Sequence, residues 1–241
     1  MKTQIGSSIL CAPSWVVPGT YAENLRFLEA KKEIQCVELL FFLYDDEIKL
    51  QLDSDWEEIL GYRERFVFTA HLPELLLPAH EELVARLAPL VRHCIVHPAV
   101  ESPSAQAKLL RKWAERYGCK FLAENTKVGL LETLFPHLGA EVGVCMDTGH
   151  LLLEGRNPAG FYQSYRDRIG EIHLHSIDRE LPALDGGLAD HRQLRGGESW
   201  LLELLPLLTH YDGVINLEMF SWAEAEASIR ILAKGYGEKT Q

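Results

Sequence analysis

The sequence predicts a single (β/α)8 barrel over residues 1–241. Three observations carry that prediction. Apolar, β-rich runs alternate with amphipathic helical stretches along the whole chain, and the runs number eight. The runs are almost continuously apolar, as strands are when a parallel sheet is covered by helices on its outer face and packed within. A length of 241 residues suits one such barrel. A doubly wound open sheet is the alternative, but no Gly-x-Gly-x-x-Gly follows an early run to supply its phosphate loop.

The elements follow in order. The first run is Gln4 to Leu10, followed by a helix from Tyr21 to Lys32 with Tyr21, Leu25 and Leu28 on one face. The second run spans Gln35 to Phe42, and Asp53-Ser54-Asp55 then leads a helix through Trp56, Ile59 and Leu60, its acids suited to an N-terminus. Phe66 to His71 is the third run, with a helix from Ala79 to Leu90. His93 to His97 is the fourth, stopped by Pro98. Ser102-Pro103 opens the next helix, proline standing in the first turn, and Gly118 ends it. The fifth run, Cys119 to Asn125, precedes a short helix with Leu130, Leu131 and Leu134. The sixth, Val142 to Asp147, precedes helical material between Gly149 and Arg168. The seventh run, Ile169 to Ser176, leads into a polar, glycine-rich loop at 185–197. A helix from Ser199 to His210, the eighth run from Gly213 to Phe220, and a helix from Ala223 to Lys234 complete the chain.

Charge and composition narrow the function. A net charge of −11 without any basic run argues against duplex nucleic acid, whose phosphates demand clustered Lys and Arg. No segment reaches the roughly 20 apolar residues of a membrane helix. Gln4, Ser7 and Ser8 interrupt any N-terminal signal core, which gives the expectation of a mature start and a cytoplasmic protein. The five cysteines (11, 36, 94, 119 and 145) include no Cys-x-x-Cys pair and mostly sit in β-like runs, as reduced core thiols do.

Polar residues inside apolar runs carry the chemistry. The active site of a (β/α)8 barrel forms at the C-terminal ends of its strands. Glu38, His71, His97, Glu124, Asp147, His173 and Glu218 fall at those ends, with His150 three residues past Asp147 and His191 in the loop after the seventh run. Singly, each is an ordinary buried polar group satisfied by hydrogen bonds. Together, carboxylates and imidazoles converging on one mouth need bound cations to relieve their mutual repulsion. Mixed nitrogen and oxygen donors suit Zn²⁺, Mn²⁺ or Fe²⁺, and eight candidate ligands exceed one tetrahedral site, so two or three ions are expected, zinc foremost.

The motifs Thr69-Ala70-His71-Leu72-Pro73, Val96-His97-Pro98, Leu122-Ala123-Glu124-Asn125-Thr126, Asp147-Thr148-Gly149-His150, Ile172-His173-Leu174 and Asn216-Leu217-Glu218 occur in this order, one per strand end. In that order the chain resembles the xylose isomerase-like barrel superfamily, within its AP endonuclease family 2 (endonuclease IV-like) branch. The resemblance implies one metal held by His71, His97 and a bridging Glu124. It implies a second held by Glu124, Asp147, His173 and Glu218, and a third with His150 and His191. A bridge calls for a carboxylate, since its two oxygens serve two ions. The pattern departs after the seventh run, where the related endonucleases have Asp-x-His and this chain has Ala189 before Asp190-His191. Asp190 or Asp185 is the available replacement.

The implied activity is hydrolysis of a phosphodiester by a metal-bound hydroxide, with Glu124 and Glu218 as the catalytic carboxylates. Arg179, Arg192 and Arg195 stand near the seventh run to grip phosphate oxygens, and Glu38, His175 and Arg179 are the candidate substrate contacts. The branch includes cobamide-remodelling phosphodiesterases. The stretches Ser14 to Gly19 and Val37 to Phe42 are similar to that group, and Trp15, Phe41, Phe42 and Tyr44 offer an apolar wall for a large planar ligand. A small-molecule diester, a cobamide in particular, is therefore the expected partner, in place of duplex DNA or a membrane. Metal-dependent sugar isomerases and epimerases of the same superfamily are the alternative, resembling the chain at Glu124, Asp147, His150, His173 and Glu218. A one-metal isomerase has no use for the His71, His97 and His191 imidazoles. An AP endonuclease acting on DNA and a non-catalytic binding protein are further alternatives.

Overall fold

In the computed structural model, which describes residues 7–139, 142–182 and 188–237, eight parallel strands close into a barrel surrounded by helices. The barrel strands are β1 (Ile9–Pro13), β2 (Cys36–Leu40), β3 (Val67–His71), β4 (Val91–Val96), β5 (Phe121–Glu124), β6 (Val142–Asp147) and β7 (Ile169–His173). After a hairpin of β8 (Ser176–Pro182) and β9 (Leu188–Arg192), β10 (Val214–Asn216) is the eighth. Barrel strands pair with their sequence neighbours, and β10 closes on β1 with Ile9 opposite Val214.

The helices are α1 (Tyr21–Glu29), α2 (Asp46–Gly61), α3 (Glu81–Leu87), α4 (Pro103–Tyr117), α5 (Val128–Leu134), α6 (Thr148–Leu153), α7 (Pro158–Tyr165), α8 (Ser199–Leu208) and α9 (Trp222–Gly237). Local chemistry explains where they start. Thr20 and Glu23 form a capping box on α1, and the Tyr21 hydroxyl donates to Leu40 O at 2.7 Å, pinning the helix to β2. Pro103 opens α4, and Gly118 closes it at φ 67°, the left-handed conformation that favours glycine.

Three expectations need correction. The first strand is Ile9–Pro13 rather than 4–10, and Gln4 lies outside the described residues. The second helix begins at Asp46, because Asp45 accepts the Ile48 N–H at 3.0 Å as its N-cap. Asp53 and Ser54 are mid-helix, and Asp55 faces inward to accept the Ala22 N–H at 3.0 Å, tying α1 to α2. The stretch after the seventh strand, read as a loop, contains the β8–β9 hairpin.

The main apolar core lies between the barrel and the helices, where Leu25, Leu28, Phe41, Ile59, Phe68, Trp113 and Phe121 are fully or almost fully buried. The barrel interior is different. Two small apolar clusters, Cys11/Cys36/Val214 and Ile95/Leu122/Cys145, share it with Glu38, Thr69, His93, Glu171, His173 and Asn216, all buried. Barrels of this kind usually fill that space with branched aliphatic residues. All five cysteines are free and buried. Among the described residues no helix is long and apolar enough to cross a membrane.

Candidate metal centre

The strand ends deliver the side chains. Glu124 and Asp147 are the last residues of β5 and β6, His71 and His173 the last of β3 and β7, and His97 and Glu218 follow β4 and β10 by one and two residues. Asn125 locks two of these ends together. Its amide donates to Asp147 O at 2.9 Å and accepts the Asp147 N–H at 2.7 Å. Asp147 in turn caps α6, accepting the His150 N–H at 2.6 Å.

Glu124 divides the cluster. Its Oε2 lies 3.0 Å from the Nε2 atoms of both His71 and His97, while its Oε1 lies 3.4 Å from His150 Nε2 and 3.7 Å from His173 Nδ1. Beyond it, His173 Nδ1 is 2.9 Å from Glu218 Oε2 and 3.9 Å from Asp147 Oδ2. The donor atoms of His71, His97 and Glu124 all lie within 4.8 Å of one another, as do those of Glu124, Asp147, His173 and Glu218. Glu124 belongs to both groups and offers each a different oxygen.

The donor set fits divalent cations. The Leu72 carbonyl at 3.0 Å can only accept, so His71 Nδ1 carries the proton. Neutral His71 then turns the lone pair of Nε2 toward a carboxylate oxygen, an arrangement that needs a cation or a second proton between them. Burial pulls the His71 imidazole below its ordinary value despite Glu124, which disfavours the second proton. Both nitrogens of His173 are buried without a hydrogen bond, although carboxylate oxygens surround them. The rest of the field has the same sign. Burial alone would lower His150, but Asp147 and Glu124 hold it up at about 10, and against the same burial Asp190 and Glu218 hold His191 at about 11. Burial would raise Glu124 and Glu218, yet the imidazoles around them keep both well below the ordinary carboxylate range. A field that retains protons this strongly also attracts a divalent ion.

A further group differs in membership from the expected one. His191 comes together with His175 and Glu218, and His150 stands instead beside Glu124. The His191 ring stacks on His175 with centroids 4.5 Å apart, and its Nε2 lies 3.5 Å from Glu218 Oε2. Asp190 accepts from His191 Nδ1 at 2.9 Å, so it orients that ring, while Ala189 offers no donor. Asp185 lies outside the described residues. His191 itself has φ 52°, a left-handed conformation costly for a non-glycine residue, and its N–H donates to His175 Nδ1 at 3.0 Å.

Two proposed substrate contacts are displaced from the mouth. Glu38 is wholly buried beneath His173, with Asn216 Nδ2 donating to its Oε2 at 2.5 Å. His175 is equally buried, its Nε2–H given to Asp147 Oδ2 at 2.9 Å. The arginines are also less available than expected, since Arg192 pairs with Glu224 at 2.7 Å and Arg195 with Asp178 at 2.8 Å. The Arg179 side chain lies outside what is described. What does face the mouth is a layer of three imidazoles, His97, His150 and His191, whose side chains are 20, 22 and 23 % exposed.

The aromatic wall is half as expected. Phe41 packs against Tyr21 and Tyr44 on the helix side of the barrel. Phe42 stays at the mouth, its ring 4.3 Å from His71, 6.2 Å from Trp15 and 6.4 Å from Phe220, a residue sequence reasoning passed over. Exposed Leu43, Leu75, Leu77 and Val100 extend this apolar rim on the loops after β2, β3 and β4.

No protein-family model and no curated protein matches the sequence. Solved structures share the fold. A zinc-bound IOLI protein is 16% identical, covering 95% of this chain and 97% of that one at a TM-score of 0.66. A xylose isomerase domain protein from Alicyclobacillus acidocaldarius subsp. acidocaldarius is 17% identical, covering 95% and 99% at 0.65. An AP endonuclease, family 2, from Brucella melitensis is 14% identical, covering 94% and 98% at 0.57. At such identities the likeness establishes the fold alone: this chain is a (β/α)8 barrel.

Proposed function

We propose that this chain is a metal-dependent phosphodiesterase acting on a small-molecule diester with a bulky apolar portion, a cobamide being one candidate. The observation that carries the reading is the divided Glu124, with one oxygen facing His71 and His97 and the other facing His150 and His173. A bridging carboxylate between two donor groups suits a pair of ions clamping one phosphoryl group. The likeness in fold to a zinc-bound protein and to an AP endonuclease, family 2, agrees with it.

His71, His97 and Glu124 would hold one ion, and Glu124, Asp147, His173 and Glu218 a second. His191 and Glu218, with His175 stacked behind, form the third candidate position. Ions bound there supply positive charge for the phosphoryl oxygens and a water acidic enough to attack at neutral pH. The chain's own groups do the rest. Glu124 and Glu218 fix the spacing of the donor groups. His150 is the partly exposed imidazole outside these donor groups, and it is placed to meet an incoming phosphate and donate an N–H bond to its oxygens. Phe42, Trp15 and Phe220 pack against the organic part of the diester and exclude water from that side.

A one-metal isomerase or epimerase is the second reading, favoured by the complete Glu124, Asp147, His173 and Glu218 group. Hydrolysis of bis(p-nitrophenyl) phosphate by zinc-loaded protein separates the two. The diesterase reading expects turnover that chelation abolishes and that His71→Ala and His97→Ala each reduce at least a hundredfold. No diester cleavage, with conversion of a ketose or inosose that is indifferent to both substitutions, would establish the isomerase instead.

A further inference from the structure

Below the mouth, the barrel interior contains a second layer of polar groups that the proposed reaction does not use. Glu171 lies on β7, two residues before His173, and is fully buried. Its Oε2 takes the Nε2–H of His93 at 2.5 Å, and His93 comes from β4, across the interior. Glu38 is held in the same manner from another side, its Oε2 taking the Asn216 amide at 2.5 Å. Each carboxylate thus spends one oxygen on an anchor. The other oxygen of each, Oε1, is buried and makes no hydrogen bond, and both converge with His173 Nε2 within 4.8 Å.

His173 Nε2 lies 3.3 Å from Glu38 Oε1 and 3.9 Å from Glu171 Oε1. The contact with Glu38 is within hydrogen-bond distance, yet neither atom makes a hydrogen bond. The other nitrogen, Nδ1, faces Glu218, Glu124 and Asp147. The imidazole therefore sits between two carboxylate layers and has two choices of where to carry its proton.

We propose that Glu171, anchored by His93, and Glu38, anchored by Asn216, are positioning residues that keep the His173 proton on Nε2 and present the Nδ1 lone pair to the metal centre. Two carboxylates below attract the N–H more strongly than a metal-filled cluster above, so the tautomer and the ring plane are set from beneath. Anionic partners on the far nitrogen also make the ligating nitrogen a better donor, and loss of such partners typically costs about 10- to 100-fold in metal affinity. The role rests on the metal-centre reading above and extends it to residues that touch neither ion nor substrate.

The test is zinc affinity by chelator competition, together with the number of ions bound at saturation and the thermal midpoint of each protein. Glu171→Gln and His93→Leu should weaken the affinity about 10- to 100-fold with the saturating ion number unchanged. His93→Gln retains an N–H for Glu171 and should restore affinity to within about threefold of the parent, on the same scale. Leu122→Ala, in the same interior space, should lower the thermal midpoint and leave affinity alone. If Glu171→Gln fails to fold, His93→Leu reads the same relay. Unchanged affinity in both variants, with midpoints lowered as in Leu122→Ala, would reduce the layer to structure and overturn the proposal. One ion fewer at saturation would overturn it differently, by making the lower layer a metal site. A parent chain that takes up no ion removes the metal-centre reading itself and the positioning role with it.

Discussion

Gly149 offers a sharp test of how the mouth is packed. It is the second residue of α6, and a Cβ there would lie 2.0 Å from His175 Cε1 and 2.6 Å from Nδ1. His175 has nowhere to go. It is fully buried, gives Nε2–H to Asp147 at 2.9 Å and accepts the His191 N–H at 3.0 Å. On an open helix, Gly→Ala gains up to about 1 kcal/mol from propensity. Here overpacking costs about 1–3 kcal/mol, and losing a hydrogen bond to a charged carboxylate costs about 1.5–3 kcal/mol. Gly149→Ala should therefore destabilise the chain by about 3 kcal/mol, a fall of about 6–12 °C in Tm for a protein of this size. Gly160 in α7 is the control, since its added Cβ meets nothing within 4 Å. Gly160→Ala should hold or raise Tm in the same calorimetric or circular dichroism melt of chelator-treated protein. A Gly149→Ala midpoint within about 2 °C of the parent, less than 1 kcal/mol on this scale, would refute the claim that His175 is clamped against α6.

The site also predicts a pH dependence and a size dependence. In chelated protein, His150 and His191 keep their protons to about 10 and about 11, against an unfolded value near 6.5. Raised folded values mean stabilisation that is whole below pH 6.5 and lost as pH climbs through 10, so the metal-free Tm should fall between pH 7 and 10, and a flat or rising Tm contradicts this. Saturating zinc should reverse that trend, because binding expels the same protons and tightens as pH rises. At the rim, Phe42→Ala should raise KM about tenfold for a diester with aromatic groups, the loss of about 1.4 kcal/mol of ring contact. Dimethyl phosphate turnover should change less than about twofold, having no ring to lose. Equal losses on both substrates would remove the rim from recognition.

What the sequence made legible was set by local chemistry. The fourth helix could be bounded residue by residue, because Pro103 starts it and Gly118 stops it. The sixth strand, Val142–Asp147, was equally plain, since its apolar run ends on an acid that caps the next helix. The start of α2 differs from the sequence reading because Asp53-Ser54-Asp55 resembles an N-terminus, whereas the cap that acts is Asp45. The β8–β9 hairpin carries one readable signal, the turn-forming run Asp185-Gly186-Gly187, but the residues before it do not alternate and read as a loop. The ends of strands are easy to list from periodicity, so the mouth residues were found. Glu171 and His93 were not, because a polar residue in the middle or at the start of an apolar strand gives no sign in sequence of the partner it meets across a barrel. The grouping of His191 with His175 in place of His150 is likewise a product of the hairpin, which folds β9 back over the mouth.

The central claim is that this mouth holds more than one divalent ion through a shared Glu124. The direct measurement is the metal content of the zinc-loaded chain after gel filtration, by inductively coupled plasma mass spectrometry, for the parent and for His71→Ala. The account predicts at least two ions per chain in the parent and one fewer in His71→Ala, because Oε2 of Glu124 loses half of its histidine pair while Oε1 keeps His173. A parent with a single ion, unchanged by His71→Ala, would contradict it and leave a one-metal site built on Asp147, His173 and Glu218.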